Sequence, residues 1–412
     1  MKRKVSAAMA AVMTAATLTG CGMGASDLMA GIRPSTSRQT VTDVGGAAVC
    51  DFAVRLFRES FDGENAAMIS PLSVLAALAM TANGARGETL AQMEAALGMK
   101  IEQLNAWFAA YEAALPEAEK YKLSLANSIW FTDDESFTVM PGFLQTNADY
   151  YGAGIYRAPF DDGTCRDINS WVKEHTDGMI KKILDKIPEE AVMYLVNALA
   201  FAAEWQTIYK ENQVRPGTFT TADGSERRTD MMYSTENRYL SDGDAEGFIK
   251  YYADGKYAFA ALLPEEGTDI ADYAASLTGE GLYAMLTNPD KITVEAAIPR
   301  FEMEYDIEMR AVLEAMGMVD AFDGDLADFS GLGSSTEGNL CISRVLHKTY
   351  LAVDEKGTKA GAATVVEVVC ETAVEVVGDV KQVYLDRPFV CMLVDCESML
   401  PFFIGAVTDI AS

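Results

Sequence analysis

Residues 355–369 read Glu-Lys-Gly-Thr-Lys-Ala-Gly-Ala-Ala-Thr-Val-Val-Glu-Val-Val, and they constrain the fold more than any other stretch. The first half is nearly all small residues, with two glycines that a helix disfavours. The second half is β-branched, which favours strand. Thr358, Ala360, Ala362, Thr364, Val366 and Val368 form one alternating set, all small or apolar. The other set, Lys359, Gly361, Ala363, Val365, Glu367 and Val369, holds the charges. Period two with one charge-free face is the pattern of a half-buried strand. Small side chains at its start would let it slide between existing strands with little steric cost.

The surrounding chain predicts an α+β architecture as one domain over residues 44–412, with helices dominating early and strands late. Val49, Phe52, Ala53, Leu56 and Phe57 follow helical spacing. Ser70-Pro71 marks a helix start, with Ser capping the free amides and Pro at the first helical position; the helix runs over residues 72–81. Helices are also predicted over residues 88–97, ended by Gly98, and over residues 167–176. Residues 193–201 are an almost unbroken apolar run, as in a strand buried on both faces. Ile292, Val294, Ala296 and Ile298 alternate as a strand, and residues 388–407 read as two strands around a polar turn at 395–398.

The formal charge of −28 argues against a nucleic-acid partner, since such a chain cannot neutralise phosphates. There is no GxSxG, HExxH, CxxC or P-loop. Two histidines exclude a His-rich metal site, and no cofactor or metal is expected. His347 lies near Ser343, but a core histidine hydrogen-bonded within a strand accounts for it better than nucleophilic catalysis. His175, among Lys173, Glu174 and Asp177, reads as a solvated helix residue. Asp323-Gly324-Asp325 reads as a turn, because the later residues of a calcium loop are missing.

The N-terminus reads as an address. Lys2, Arg3 and Lys4 precede a short apolar run, and Leu18-Thr19-Gly20-Cys21 resembles a bacterial lipobox. Residues 1–20 are then a lipoprotein signal peptide, Cys21 carries the lipid, and residues 21–43 are a flexible tether. The expected location is extracytoplasmic, on the cell surface, with that lipid as the membrane attachment. The other six cysteines read as mostly buried small hydrophobes, Cys370 excepted.

Residues 355–369 resemble the reactive-loop hinge of the serpins, the serine protease inhibitors whose loop inserts into their own main sheet. Other stretches agree in order. They are Ile69-Ser70-Pro71-Leu72-Ser73, Val196-Asn197-Ala198-Leu199-Ala200-Phe201 with Trp205, Ile298-Pro299-Arg300-Phe301, Ala327-Asp328-Phe329-Ser330-Gly331, Asp386-Arg387-Pro388-Phe389 and Phe403-Ile404-Gly405. Ala202-Ala203-Glu204 departs from the family's usual Lys-Gly-Lys. The resemblance spans about residues 45–410.

The resemblance implies a helix-rich N-terminal part around a large central mixed sheet, smaller sheets, and an exposed loop over about residues 355–385. It implies an inhibitor rather than an enzyme. A protease attacks the loop, and the cleaved loop inserts as a new strand that traps the acyl-enzyme. The hinge would be Glu355, Gly357, Thr358, Ala360, Ala362, Ala363 and Thr364. Ser70, Ser73, Asn197 and His347 would form a hydrogen-bonded shutter under the sheet. Glu355 would pair with Arg300, where the family usually has Lys, near Trp205 in the breach at the top. Counting about 17 positions from Glu355 puts the bait bond at Glu371-Thr372, and one residue fewer gives Cys370-Glu371. Counting back from Pro388 points instead near Val377. The Val, Cys, Thr and Ala around the forward site suit elastase-like pockets, and a monomer meeting one such protease is expected. A non-inhibitory serpin acting as a surface binding protein is the alternative. The small, proline-free hinge favours inhibition.

Overall fold

The computed structural model describes residues 24–35, 46–115, 121–188, 191–336, 338–359 and 379–410. Cys21, the hinge beyond Lys359 and the bait positions Cys370, Glu371 and Thr372 lie outside them.

A seven-stranded mixed sheet organises the chain. Its members are β1 (Ser26–Asp27), β2 (Tyr121–Thr132), β3 (Gly154–Ala158), β4 (Met193–Glu204), β5 (Phe301–Glu308), β6 (Arg344–Val353) and β7 (Gly357–Lys359), in the spatial order β1-β3-β2-β4-β7-β6-β5. Behind it, six strands pair in the order Ala67–Ile69, Leu400–Val407, Phe389–Asp395, Tyr257–Pro264, Ala245–Tyr251 and Tyr239–Ser241. A four-stranded sheet joins Val380–Tyr384, Thr293–Pro299, Glu226–Glu236 and Val214–Thr220.

Helix α1 (Gly46–Ser60) buries the predicted face, Val49, Phe52, Ala53, Leu56 and Phe57. Helix α2 (Pro71–Ala82) starts where expected, with the Ser70 side chain accepting from the Ser73 amide. Every residue of α2 is buried, so it sits inside the core between the two large sheets. Helix α3 (Asp162–His175) lies on the outer face of the main sheet, packing Ile168, Trp171 and Val172 against Trp130 and Tyr194. It begins five residues before the predicted start, because Asp161 caps it by accepting from the Thr164 amide.

Helices and strands are interleaved rather than segregated: β2, β3 and β4 lie in the first half, and among the described residues three α-helices follow residue 269. Part of the expected tether is also structured. Ser26 and Asp27 add β1 to the free edge of β3, and Leu28 and Met29 pack on the core. An open strand edge and two apolar side chains overrode a polar composition that read as linker.

Candidate functional site

The middle of the main sheet has an unusual local register. β4 and β6 pair in parallel from Tyr194 opposite Arg344 to Ala198 opposite Lys348. Above that the strands part, and β7 enters between them. Gly357 and Thr358 pair with Glu204 and Ala203 of β4, while Thr358 and Lys359 pair with Val353 and Ala352 of β6. The start of the predicted sliding strand is therefore already seated in the sheet.

A tight turn delivers it there. Asp354 Oδ1 accepts the Lys356 and Gly357 amides at 2.8 and 3.1 Å, and the Asp354 amide donates to the Gly357 carbonyl at 2.9 Å. The turn is held from outside by Trp205 and Tyr209. Trp205 Nε1 donates to the Asp354 carbonyl at 2.8 Å, and its amide to the Lys356 carbonyl at 2.8 Å. The Tyr209 amide donates to the Glu355 carbonyl at 3.0 Å. Thr358 is 2% exposed, and its Oγ1 is hydrogen-bonded to the Tyr252 hydroxyl. Tyr252 in turn stacks on Trp205, with centroids 4.4 Å apart and rings 7° from parallel. Gly357 is required by close approach: a Cβ there would fall on the Ala203 carbonyl oxygen.

Arg300 and Glu355 meet, Nη2 to Oε2 at 2.7 Å, and Arg300 also reaches Asp230 at 3.7 Å. The Arg300 side chain is 46% exposed and that of Glu355 33%, so solvent screens the pair.

Deeper in the sheet, Ser70, Ser73, Asn197 and His347 come together from three segments. His347 Nε2 accepts the Ser70 amide at 3.0 Å, and Nδ1 lies 2.5 Å from Asn197 Oδ1. The same Asn197 oxygen accepts from Ser73 Oγ at 3.4 Å. An accepting Nε2 places the ring proton on Nδ1, donating to Asn197. Burial pushes the His347 pKa down to about 3, so the ring stays neutral. Asn197 Nδ2 is buried and has no hydrogen-bond partner among the described residues. Ser343 does not pair with His347; its Oγ accepts the Val192 and Met193 amides at 2.9 and 3.3 Å.

The whole of this geometry lies within the span of one known family. The model for "Serpin (serine protease inhibitor)" matches residues 47–410. Human Serpin B8 is 33% identical over 334 residues, which cover 76% of this chain and 87% of that protein. The chain is a serpin. Its fold is the serpin fold, and it belongs with protease inhibitors rather than enzymes. Tengpin, a thermophilic serpin, is 46% identical to it in two solved states. The native state gives a TM-score of 0.88, covering 93% of this serpin and 99% of that chain. The latent state gives 0.80, covering 90% and 100%.

Two features of the serpin's site escaped the sequence reading. Asp354 organises the turn but precedes the motif, and an Asp before Glu-Lys-Gly is a legible turn signal. Lys250 is 3% exposed and paired with Glu236 at 2.8 Å. A lysine in a strand reads as solvent-facing; its neighbours Phe248, Ile249, Tyr251 and Tyr252 were the sign that it is not.

Proposed function

We propose that this serpin is a suicide-substrate inhibitor of extracellular serine proteases with elastase-like preference, held at the cell surface through a lipid on Cys21. The single observation that carries the reading is β7. Two hinge residues, Gly357 and Thr358, with the adjoining Lys359, already occupy the slot into which the rest would move.

The seated register defines a path. Thr358 faces Ala203 and Val353. Six positions further, Thr364 would face Asn197 and His347, which are themselves opposite each other now. Val368 would reach Met193, the first residue of β4. The residues that alternate with Thr358 would share its buried face, and they are the small, charge-free set. Insertion would separate five parallel pairs and replace them with two antiparallel ladders along the new strand. At about 1 kcal/mol net for each added backbone bond, roughly 10 kcal/mol is available.

In the reaction, the protease serine Oγ attacks the carbonyl of the bait residue. The peptide bond breaks, the new amino terminus leaves with a proton, and an ester joins the bait residue to the protease. Insertion then drags the acylated protease before water can cleave the ester. With Val368 at the lower end of β4, a bait bond at Glu371-Thr372 or Cys370-Glu371 falls just beyond the inserted strand. This favours the forward count over a site near Val377.

The test mixes the form starting after Cys21 with pancreatic elastase near equal ratio, read on a denaturing gel with intact mass of the released C-terminal peptide. A denaturant-stable band at the summed mass is expected, with a peptide beginning within residues 370–373. Cleavage without that band, or without a sharp rise in unfolding temperature of the cleaved product, would overturn the inhibitory reading.

A further inference from the structure

Lys250 lies on the strand Ala245–Tyr251, more than 100 positions from the hinge in sequence. Its side chain is 4% exposed and that of Glu236 is 14%. The Lys250 ammonium stands 4.5 Å from the Tyr209 ring centroid and 5.4 Å from that of Trp205. The Glu236 oxygen that holds it also accepts from Ser234 Oγ at 2.7 Å, and Ser234 Oγ lies 3.3 Å from the Tyr209 hydroxyl. Burial opposes the ammonium charge, but Tyr209 and Glu236 more than offset it, and the pKa lies above the ordinary lysine value.

Tyr209 and Trp205 are the two residues whose amides hold the carbonyls of Glu355 and Lys356. Trp205 also holds Asp354 through its indole and stacks on Tyr252, which binds Thr358. One buried cation therefore sits against the rings of both residues that dock the turn, Trp205 through its amide and indole and Tyr209 through its amide. A cation over two rings, desolvated and paired, is a strong fixed contact, and losing it leaves a mostly buried carboxylate without its partner.

We propose that Lys250, held by Glu236, is a positioning residue for loop insertion: it fixes the Trp205 and Tyr209 wall that keeps Gly357–Lys359 seated as the nucleus of the new strand. Among the described residues, the pair meets Ser234, Tyr209 and Trp205 rather than Gly357–Lys359 itself. It acts by keeping the first residues in register, so that insertion after cleavage begins without a search. This rests on the insertion reading above for its consequence, but not for its geometry.

The test compares the whole serpin with Lys250→Met and with Leu282→Ala. Leu282 is buried in the helix Gly279–Thr287, away from the hinge, and serves as a control for general destabilisation. Two readouts are taken. One is amide exchange of a peptide spanning residues 350–359 in the uncleaved protein. The other is the number of serpin molecules consumed per elastase trapped. Lys250→Met is expected to speed exchange in that peptide at least tenfold and to raise consumption at least threefold. Leu282→Ala is expected to lower the unfolding temperature while changing neither. Unchanged exchange in Lys250→Met, or the same changes in Leu282→Ala, would overturn the proposal. Faster exchange in Lys250→Met, with no elastase trapped even by the unaltered serpin, would uphold the positioning role and overturn the inhibitory reading instead.

Discussion

At the middle of the main sheet, the seam between β4 and β6 is closed over a buried polar cluster. At the top, the same two strands are held apart by a turn whose ion pair is half in water. In the shutter, His347, Asn197, Ser70 and Ser73 are fully buried, so each unmade hydrogen bond carries its full desolvation penalty. At the breach, Arg300 and Glu355 can exchange each other for solvent. The visible salt bridge is therefore the weaker restraint, and the hinge is held mainly by backbone contacts, the Trp205 stack and Thr358. Polar clusters that look alike on a contact map differ in worth according to burial.

The comparison can be broken most sharply at Thr358. Thr358→Arg would place a guanidinium where the side chain is 2% exposed and meets a tyrosine hydroxyl. Trapping should be lost altogether, leaving a protein that elastase cleaves and releases; a retained denaturant-stable band would refute the buried-hinge argument. His347→Ala should come next. It leaves the Ser70 amide and Asn197 without their partner and opens a cavity, costing about 3 kcal/mol in denaturant unfolding. A loss below about 1 kcal/mol would mean the shutter is no stronger than the breach.

The same histidine gives the pH dependence a sign. Its folded pKa is depressed to about 3 from an ordinary 6.5, so only the unfolded chain binds a proton between those values. Stability is intact above about pH 6.5 and should fall by up to about 1.4 kcal/mol per unit as pH drops toward 3. Unfolding followed from pH 7 to 4 should show this slope in the parent and lose it in His347→Gln. Gly357→Ala, which drives a methyl onto the Ala203 carbonyl, should cost about 2 kcal/mol and unseat β7, seen as faster exchange at residues 357–359. Arg300→Ala should have the smallest effect, under about 1 kcal/mol on unfolding, and further reduced in high salt.

Much of this is legible in the amino-acid sequence alone. The Ser70-Pro71 start, the face of α1, the end at Gly98 and the strand at 193–201 were local patterns, and local backbone physics realised them. The pairing of Arg300 with Glu355 and the shutter quartet came from the family resemblance, since no spacing in the chain brings such distant residues together. The structured segment at residues 24–35 and the early start of α3 were missed because a free strand edge and a side-chain cap outweighed composition.

The sequence by itself determined which segment carries the pattern of an added strand. Alternation of small, uncharged residues from Thr358 to Val368 is a property of the chain, and strand geometry turns it into a face that a sheet can accept. Tertiary structure alone decided where its first residues sit and what holds them there. β7 is seated because β4 and β6 part above Lys348, and because Trp205, Tyr209, Tyr252 and Lys250, scattered along the chain, converge at one corner. Burial and convergence depend on how distant segments pack, so a lysine that reads as solvent-facing in its own strand lies buried against the rings that hold the hinge.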